Sequence, residues 1–184
     1  MARNPEHVNA ALLVIDVQKA VVEHAPDRAQ VLSTINTLVD DARTAEIPVI
    51  WVQHNDADLP RGSEGWELTG EMSPVADDPV VHKQLRSSFD NTELESVLAA
   101  REIGRLIVAG AQTDFCVRWT LHGALELGYD TTLVADAHTT DDPSTNALPS
   151  AAQTVALLNN VWASQETSGP DALVMTSSEV NLTS

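Results

Sequence analysis

The segment RLIVAGAQTDFCVRWTLHGALELGYDTTLVADA, Arg105–Ala137, places an amphipathic stretch between two apolar runs. The runs RLIVAG, residues 105–110, and DTTLVADA, residues 130–137, predict β-strands, while Phe115–Leu127 predicts a helix that Gly128 ends. Because both runs are apolar on successive residues, the strands are expected to be covered on both faces, as in a parallel sheet. The segment therefore predicts two parallel strands connected by a helix.

The same alternation continues through the rest of the chain. Further strands are predicted at Ala11–Asp16, Pro48–Gln53, Pro79–Lys83 and Ala172–Thr176, and further helices at Asp27–Glu46, after a capping box formed by Thr92 and Glu95, and at Leu148–Ala163. A loop rich in Gly, Pro, Asp and Ser runs from His54 to about Asp78. We therefore expect an α/β fold, a Rossmann-like three-layer α-β-α sandwich with a six-stranded parallel sheet, and a single domain over residues 1–184.

Charge and composition exclude several classes of partner. The chain of 184 residues has 27 acidic and 10 basic side chains besides histidine and a formal net charge of −17. Such a surface repels phosphate backbones and anionic lipid, and no apolar run approaches the roughly 20 residues of a membrane-spanning helix. We therefore expect neither nucleic acid nor a membrane as a partner.

Cysteine usage and the first residues predict where the protein works. Cys116 is the only cysteine, so an intramolecular disulfide is impossible, which fits a reducing compartment. The first ten residues, MARNPEHVNA, are polar and lack the apolar core of a secretion signal. Both observations predict a cytoplasmic protein.

The carboxyl ends of the predicted strands carry four reactive side chains. In an open parallel sheet, ligands bind outside these ends. Asp16 follows the first strand, His54 the second and Lys83 the third, and Cys116 lies just past the fourth. Together they provide a nucleophile, a base and a cationic partner.

Taken alone, Cys116 could be a small buried apolar residue, because free cysteine is among the most buried residue types. Its place at the start of a helix instead favours a reactive thiol, whose pKa the helix dipole is expected to lower. The proximity of Asp16 and Lys83 in the predicted fold favours the nucleophile.

Three blocks of sequence, in order, resemble the isochorismatase-like cysteine hydrolase superfamily, which includes nicotinamidases and N-carbamoylsarcosine amidohydrolases. The blocks are LLVIDVQ at Leu12–Gln18, VVHKQLRSSFDNTEL at Val80–Leu94 and VAGAQTDFCVRWTLHGALELGYDTTLVADA at Val108–Ala137. The resemblance covers nearly the whole chain and agrees with the predicted fold.

The resemblance implies a catalytic triad of Asp16, Lys83 and Cys116. Asp16 would take the thiol proton and pass it to the leaving amine, Lys83 would hold both groups, and Cys116 would attack a carbonyl carbon to form a thioester. It also implies an oxyanion hole made by the backbone N–H groups of Cys116 and Gln112, with a cis peptide bond between Ala111 and Gln112.

The chain departs from the nicotinamidases at their metal site. They carry an Asp-x-His pair and a further histidine after the second strand, whereas WVQHNDADL keeps only His54, with Val52 or Gln53 in place of the acid. We therefore expect no metal and no cofactor. The candidates for substrate contact are Gln18, His54, Trp66, Phe115 and His138.

These features predict a cysteine hydrolase that cleaves a C–N bond of a small amide, ureido or lactam compound. The alternatives are a vinyl-ether hydrolase of the isochorismatase type, which needs an acid but no cysteine, and a non-catalytic scaffold of the same fold. The resemblance also implies a homodimer or a higher homo-oligomer.

Overall fold

Six strands form one parallel sheet in the computed structural model, which describes residues 8–143, 145 and 147–182. The polar segment at residues 1–7, which supports the expectation of no export, lies outside the described residues. The strands are β1 (Asn9–Ile15), β2 (Val49–His54), β3 (Val80–Lys83), β4 (Ile103–Ala111), β5 (Asp130–Thr139) and β6 (Ala172–Met175). The helices are α1 (Arg28–Thr44), α2 (Leu94–Ala99), α3 (Arg118–Leu127) and α4 (Ala151–Ala163), with a π-helical turn at Thr113–Val117.

The strand order is β3-β2-β1-β4-β5-β6, and every neighbouring pair is parallel. The first three strands extend the sheet from β1 toward one edge, which β3 forms. The chain then crosses to β4, on the other side of β1, and the last three strands extend the sheet to the opposite edge at β6. Strand order therefore reverses between β1 and β4, and a crevice is expected at the carboxyl ends of those two strands. The predicted six-stranded parallel sheet is confirmed.

Helices cover both faces of the sheet, because side chains along each strand alternate between two apolar clusters. Leu13 and Ile15 of β1 point to one face, where α2, α3 and α4 pack around Trp162. Leu12 and Val14 point to the other face, which α1 covers with a buried stripe. The stripe consists of Val31, Leu32, Ile35, Leu38, Val39 and Ala42. The predicted three-layer α/β sandwich is confirmed.

Local hydrogen bonding differs from the sequence prediction at the starts of two helices. The predicted capping box at Thr92 and Glu95 is wrong: Glu93 is the N-cap of α2 and makes no side-chain capping bond. The Thr92 hydroxyl instead accepts from Leu94 N at 3.2 Å and donates to Ser88 O at 2.6 Å. A complete capping box occurs on α4, where the side chains of Ser150 and Gln153 each bond the other's backbone N–H.

The helix predicted to begin at Phe115 is preceded by the π-helical turn. Val117 N donates to Gln112 O, five residues earlier, at 3.1 Å, and Phe115 N donates to the same oxygen. Regular α-helix begins only at Arg118 and ends at Gly128, which has a φ of 95°. Single π turns of this kind often occur at functional sites.

No described helix is long and apolar enough to cross a membrane.

Candidate active site

Three strand ends bring Asp16, Lys83 and Cys116 into contact. Asp16 directly follows β1 and takes a left-handed φ of 50°, which an aspartate tolerates better than most residues. Lys83 is the last residue of β3 and reaches across β2, while Cys116 lies in the π turn after β4. Asp16 and Lys83 are each only 1% exposed and Cys116 is 7% exposed. Sequence reasoning predicted this cluster, and the structure brings its members together.

Lys83 is at the centre of the cluster. Its Nζ lies 2.6 Å from Asp16 Oδ2, donates to Cys116 Sγ at 3.1 Å and to Leu85 O at 3.2 Å, and lies 3.4 Å from His54 Nδ1. An ammonium can be buried only if it is paired and hydrogen-bonded. The contacts with Asp16 and Cys116 fix the ammonium between the carboxylate and the sulfur.

The buried cluster holds the thiol in its protonated form. Burial first, and then the Asp16 carboxylate, raise the pKa of Cys116 to about 11, although Lys83 opposes both effects. The prediction that the start of the helix lowers this pKa is therefore wrong for the resting site. Burial also raises the pKa of Asp16, against the lowering effect of Lys83.

One ammonium can compensate one negative charge, so a thiolate beside an ionised Asp16 would leave a second charge uncompensated in a buried place. Asp16 Oδ1 has no hydrogen-bond partner among the described residues. It is therefore available to accept a proton. The geometry favours transfer of the thiol proton to Asp16 over a preformed thiolate.

His54 is held in a fixed orientation beside Lys83. Its Nε2 lies 3.0 Å from Asp56 Oδ2, and Asp56 Oδ1 accepts the backbone N–H groups of Asp58 and Leu59. Because a carboxylate only accepts, Nε2 carries the hydrogen and Nδ1 faces Lys83 Nζ. The bond to His54 and the bonds from the loop backbone lower the pKa of Asp56.

The end of β2 thus carries a histidine–carboxylate pair, His54 and Asp56. Among the described residues, no group of three or more His, Cys, Asp or Glu side chains is close enough to hold a metal ion. The absence of a metal from the working protein stays a prediction.

Gln18 contacts the backbone of the site rather than its cavity. Its fully buried amide donates from Nε2 to His54 O at 2.9 Å and to Trp66 O at 2.8 Å, and its Oε1 accepts from His54 N at 2.8 Å. Trp66 lies outside the cavity lining, with its ring 5.6 Å from that of His82. Both residues were candidates for substrate contact, but neither lines the cavity. Gln18 instead ties the end of β2 to the long loop.

His138 lies beneath the π turn that carries Cys116 and also outside the cavity lining. Asn159 Nδ2 donates to Ala135 O, so Asn159 Oδ1 must accept from His138 Nε2, at 2.9 Å. His138 Nδ1 then accepts from the Thr113 hydroxyl at 2.9 Å. Burial lowers the pKa of His138 to about 4, so the ring is neutral. It connects the π turn to β5 and α4 instead of facing a substrate.

A cavity of about 410 Å³ opens above Cys116. Its lining consists of Asp16, Ala20, Val21, His54, Asp56, Asp58, Leu59, Gln84, Leu85, Arg86, Gln112 and Cys116. Phe115 borders this space indirectly, because its half-exposed ring lies under the Arg86 guanidinium, with 4.0 Å between Arg86 Cζ and the ring centroid. Sequence reasoning missed Arg86, although its place three residues after Lys83, just beyond a strand end, could have indicated it.

Gln112 borders the cavity next to the sulfur. The peptide bond between Ala111 and Gln112 is cis. The Gln112 side chain donates from Nε2 to Asp141 Oδ2 at 3.0 Å.

These features define a three-layer, doubly wound α/β protein with an Asp–Lys–Cys cluster at the point where strand order reverses. A family model for the isochorismatase domain matches residues 10–160. The chain belongs to the isochorismatase family.

Several relatives in this family have hydrolase names. Streptothricin hydrolase of Streptomyces noursei is 39% identical over 139 residues, which cover 72% of this chain and 50% of that protein, so the chain matches half the length of that relative. Ureidoacrylate amidohydrolase of Cronobacter sakazakii is 29% identical over 210 residues, covering 89% of this chain and 88% of that protein. The crystal structure of a cysteine hydrolase from Pseudomonas syringae pv. phaseolicola covers 94% of this chain and 92% of its own, with a TM-score of 0.84 and 25% identity.

Proposed function

We propose that the protein is a cysteine amidohydrolase that cleaves a C–N bond of a small amide, ureido or lactam compound. One observation carries the proposal: Lys83 Nζ contacts Asp16 at 2.6 Å and Cys116 Sγ at 3.1 Å, below a cavity large enough for a small molecule. Hydrolase relatives, including one named as an amidohydrolase, support the same reaction class.

In the acylation step, Asp16 takes the proton from the Cys116 thiol as the sulfur attacks the carbonyl carbon of the substrate. The C–S bond forms, and the carbonyl π electrons move onto oxygen. Asp16 then gives the proton to the substrate nitrogen, and the C–N bond breaks. Ammonia or an amine departs, and the acyl group remains bound to Cys116 as a thioester. Lys83 stays protonated throughout and keeps Asp16 and the sulfur in reach of each other.

In the deacylation step, Asp16 removes a proton from water as the water oxygen attacks the thioester. The C–S bond breaks, the acid is released, and the proton returns to sulfur. We assign the oxyanion hole to the backbone N–H groups of Cys116 and Gln112. One well-aimed donor of this type is worth roughly 3–4 kcal/mol of barrier.

The proposed reaction requires water and a reduced thiol, and no metal or cofactor. Asp16, Lys83 and Cys116 supply the base, the cation and the nucleophile. A cytoplasmic location, which we also propose, would keep the single thiol reduced.

The test is a panel of small amides, ureido compounds and lactams, with ammonia and amine release measured before and after EDTA treatment. We expect turnover of at least one compound, unchanged by EDTA. Loss of activity in EDTA with recovery in zinc or manganese would contradict the metal-free reaction. Turnover of isochorismate with none of the panel would support the vinyl-ether alternative, and no turnover of either would favour the scaffold.

We also propose that the chain forms a homo-oligomer. Several large apolar side chains are exposed on the helices near the nucleophile, among them Trp119 at 58% and Leu157 at 55%. Burying such surface between copies would stabilise an assembly. Sedimentation at micromolar concentration should give a mass of at least twice 19.8 kDa, the mass of one chain. A mass near 19.8 kDa would overturn this proposal.

A further inference from the structure

Arg86 lies on the cavity wall, close to the nucleophile. It follows Lys83 by three residues, and its Cζ lies 4.0 Å from the centroid of the Phe115 ring, next to Cys116 in the chain. A guanidinium stacked on an aromatic ring is attracted by the ring face and keeps its N–H groups directed outward in its own plane. Arg86, which is exposed, therefore presents several hydrogen-bond donors at the cavity wall.

The positive charge of Arg86 is not compensated by the protein. Four other basic side chains form ion pairs: Lys19 with Glu67, Arg28 with Glu71, Arg43 with Asp78 and Lys83 with Asp16. Among the described residues, Arg61, Arg101 and Arg118 form none. Within the described part of the chain, no carboxylate lies at ion-pair distance from Arg86, although the sequence holds 27 acidic residues. Arginines without an ion pair therefore occur at several described positions, and Arg86 differs from the others because it lines the cavity above Cys116.

The acids that line the same cavity have other partners or lie at its exposed edge. Asp16 pairs with Lys83, and Asp56 bonds to His54 and to two backbone N–H groups. Asp58 is exposed to solvent on the loop after β2, as expected for an acidic side chain in a chain rich in acidic residues. Of the described residues that line the cavity, Arg86 is the one arginine or lysine.

We infer that Arg86 binds a carboxylate on the substrate, so that the natural substrate is an amide or ureido compound that also carries an acid group. The inference rests on the proposed function and narrows it. Arginine is well matched to a carboxylate, because two parallel N–H donors can bond both oxygens. The net charge of −17 repels anions at a distance, but salt screens that field beyond about 8 Å, so the contact with Arg86 decides binding inside the cavity.

The experiment compares two alkylating reagents that differ in charge, iodoacetate and iodoacetamide. Since Cys116 is the only cysteine, all thiol labelling reports on it. The rate ratio of iodoacetate to iodoacetamide is measured for the protein and for N-acetylcysteine at the same pH and salt. We expect the protein ratio to exceed the N-acetylcysteine ratio about tenfold, and R86Q to remove that excess. R86K should keep part of it, since lysine retains the charge without the paired donors.

The matched control is R118Q, which removes an exposed arginine two residues after Cys116 that does not line the cavity. It should leave the ratio within about twofold of the wild-type ratio, and the iodoacetamide rate should stay within about twofold in both variants if the site is intact. A ratio that R86Q does not change, or that R118Q lowers equally, would overturn the inference.

A second measurement on the wild-type protein covers the case in which R86Q does not fold. Succinamate should protect Cys116 from iodoacetamide at a concentration about tenfold lower than succinamide does, and equal protection would overturn the inference. Neither measurement needs turnover, so failure of the amide panel and failure of the Arg86 assignment are distinguishable.

Discussion

The buried cluster contains one carboxylate, one ammonium and one thiol, which belong to Asp16, Lys83 and Cys116. Burial alone would raise the pKa of both acids, and the Asp16 charge raises the pKa of Cys116 further. With one ammonium present, the resting site holds one negative charge, and the proton of the second acid can move between oxygen and sulfur. Reactivity then depends on the substrate stabilising the thiolate through bond formation.

Replacing Asp16 by asparagine should make the thiol more acidic while abolishing turnover. The Asp16 charge raises the pKa of Cys116, so Asp16→Asn should lower that pKa from about 11. Iodoacetamide labelling followed from pH 7 to 11 should show the rate rising at lower pH than in the wild type. Asp58→Asn, which removes an exposed acid from the cavity edge, should not shift the profile. An unchanged or raised pKa in Asp16→Asn would contradict the charge assignment.

The residue types of the site could be predicted from sequence because strand ends meet at one edge of a parallel sheet. Asp16, Lys83, His54 and Cys116 come together for that reason. Side-chain direction could not be predicted in the same way. His138 faces inward because Thr113 and Asn159 hydrogen-bond its ring there. The position of His138 at the end of a strand does not indicate these partners, so the sequence alone could not predict this orientation.

At the scale of elements, β1 and β4 approach each other closely just before Asp16 and Cys116. Ile15 of β1 pairs with Gly110 of β4. Ile15 is the residue before Asp16, and Gly110 lies six residues before Cys116. Gly110 has a φ of 121°, and a Cβ built there would lie 2.1 Å from Ile15 O. Only glycine allows this contact, because every other residue would push the strands apart.

Gly110→Ala should therefore destabilise the protein by more than about 3 kcal/mol, from steric overlap with backbone and an unfavourable φ. Urea unfolding measures the loss. Gly70→Ala is the matched control, because a Cβ there meets nothing within 4 Å, and it should change stability by less than about 0.5 kcal/mol. Similar free energies of unfolding for the two variants would show that the β1–β4 contact relaxes easily.

Strands and long helices were predictable from apolar patterning, but the π turn that carries Cys116 was not. Its π-helical hydrogen bonding depends on Gln112 O accepting from both Phe115 and Val117, which has no periodic signature in sequence. The box at Thr92 and Glu95 had the right residue types, but the Thr92 hydroxyl bonds Ser88 and lies one residue before the N-cap. Competing local hydrogen bonds decided both cases.

At the scale of the whole molecule, buried His138 links the site to acid stability. An unfolded histidine takes up a proton below about pH 6.5, whereas folded His138 stays neutral down to about pH 4. The unfolded state therefore binds more protons in this window, and stability falls as the pH is lowered through it. The full contribution of the group is on the order of 3 kcal/mol and is lost by about pH 4.

His138→Gln should flatten the dependence of the unfolding free energy on pH between about 6.5 and 4, even if it lowers stability at every pH. Urea unfolding at several pH values gives the slope. His24→Gln, at an exposed position, serves as the control and should keep the wild-type slope. Parallel curves for His138→Gln and the wild type would mean that His138 does not resist protonation in the folded state.

The central claim is that Cys116 is the nucleophile of a covalent reaction, and turnover by Cys116→Ala tests it most directly. The variant is compared with the wild type on the panel compound with the highest wild-type kcat, with circular dichroism to verify the fold. We predict that kcat falls by at least about a thousandfold, leaving only what binding and the oxyanion hole supply. A variant that keeps more than about a tenth of the wild-type kcat, a barrier change under roughly 1.4 kcal/mol, would contradict the covalent mechanism.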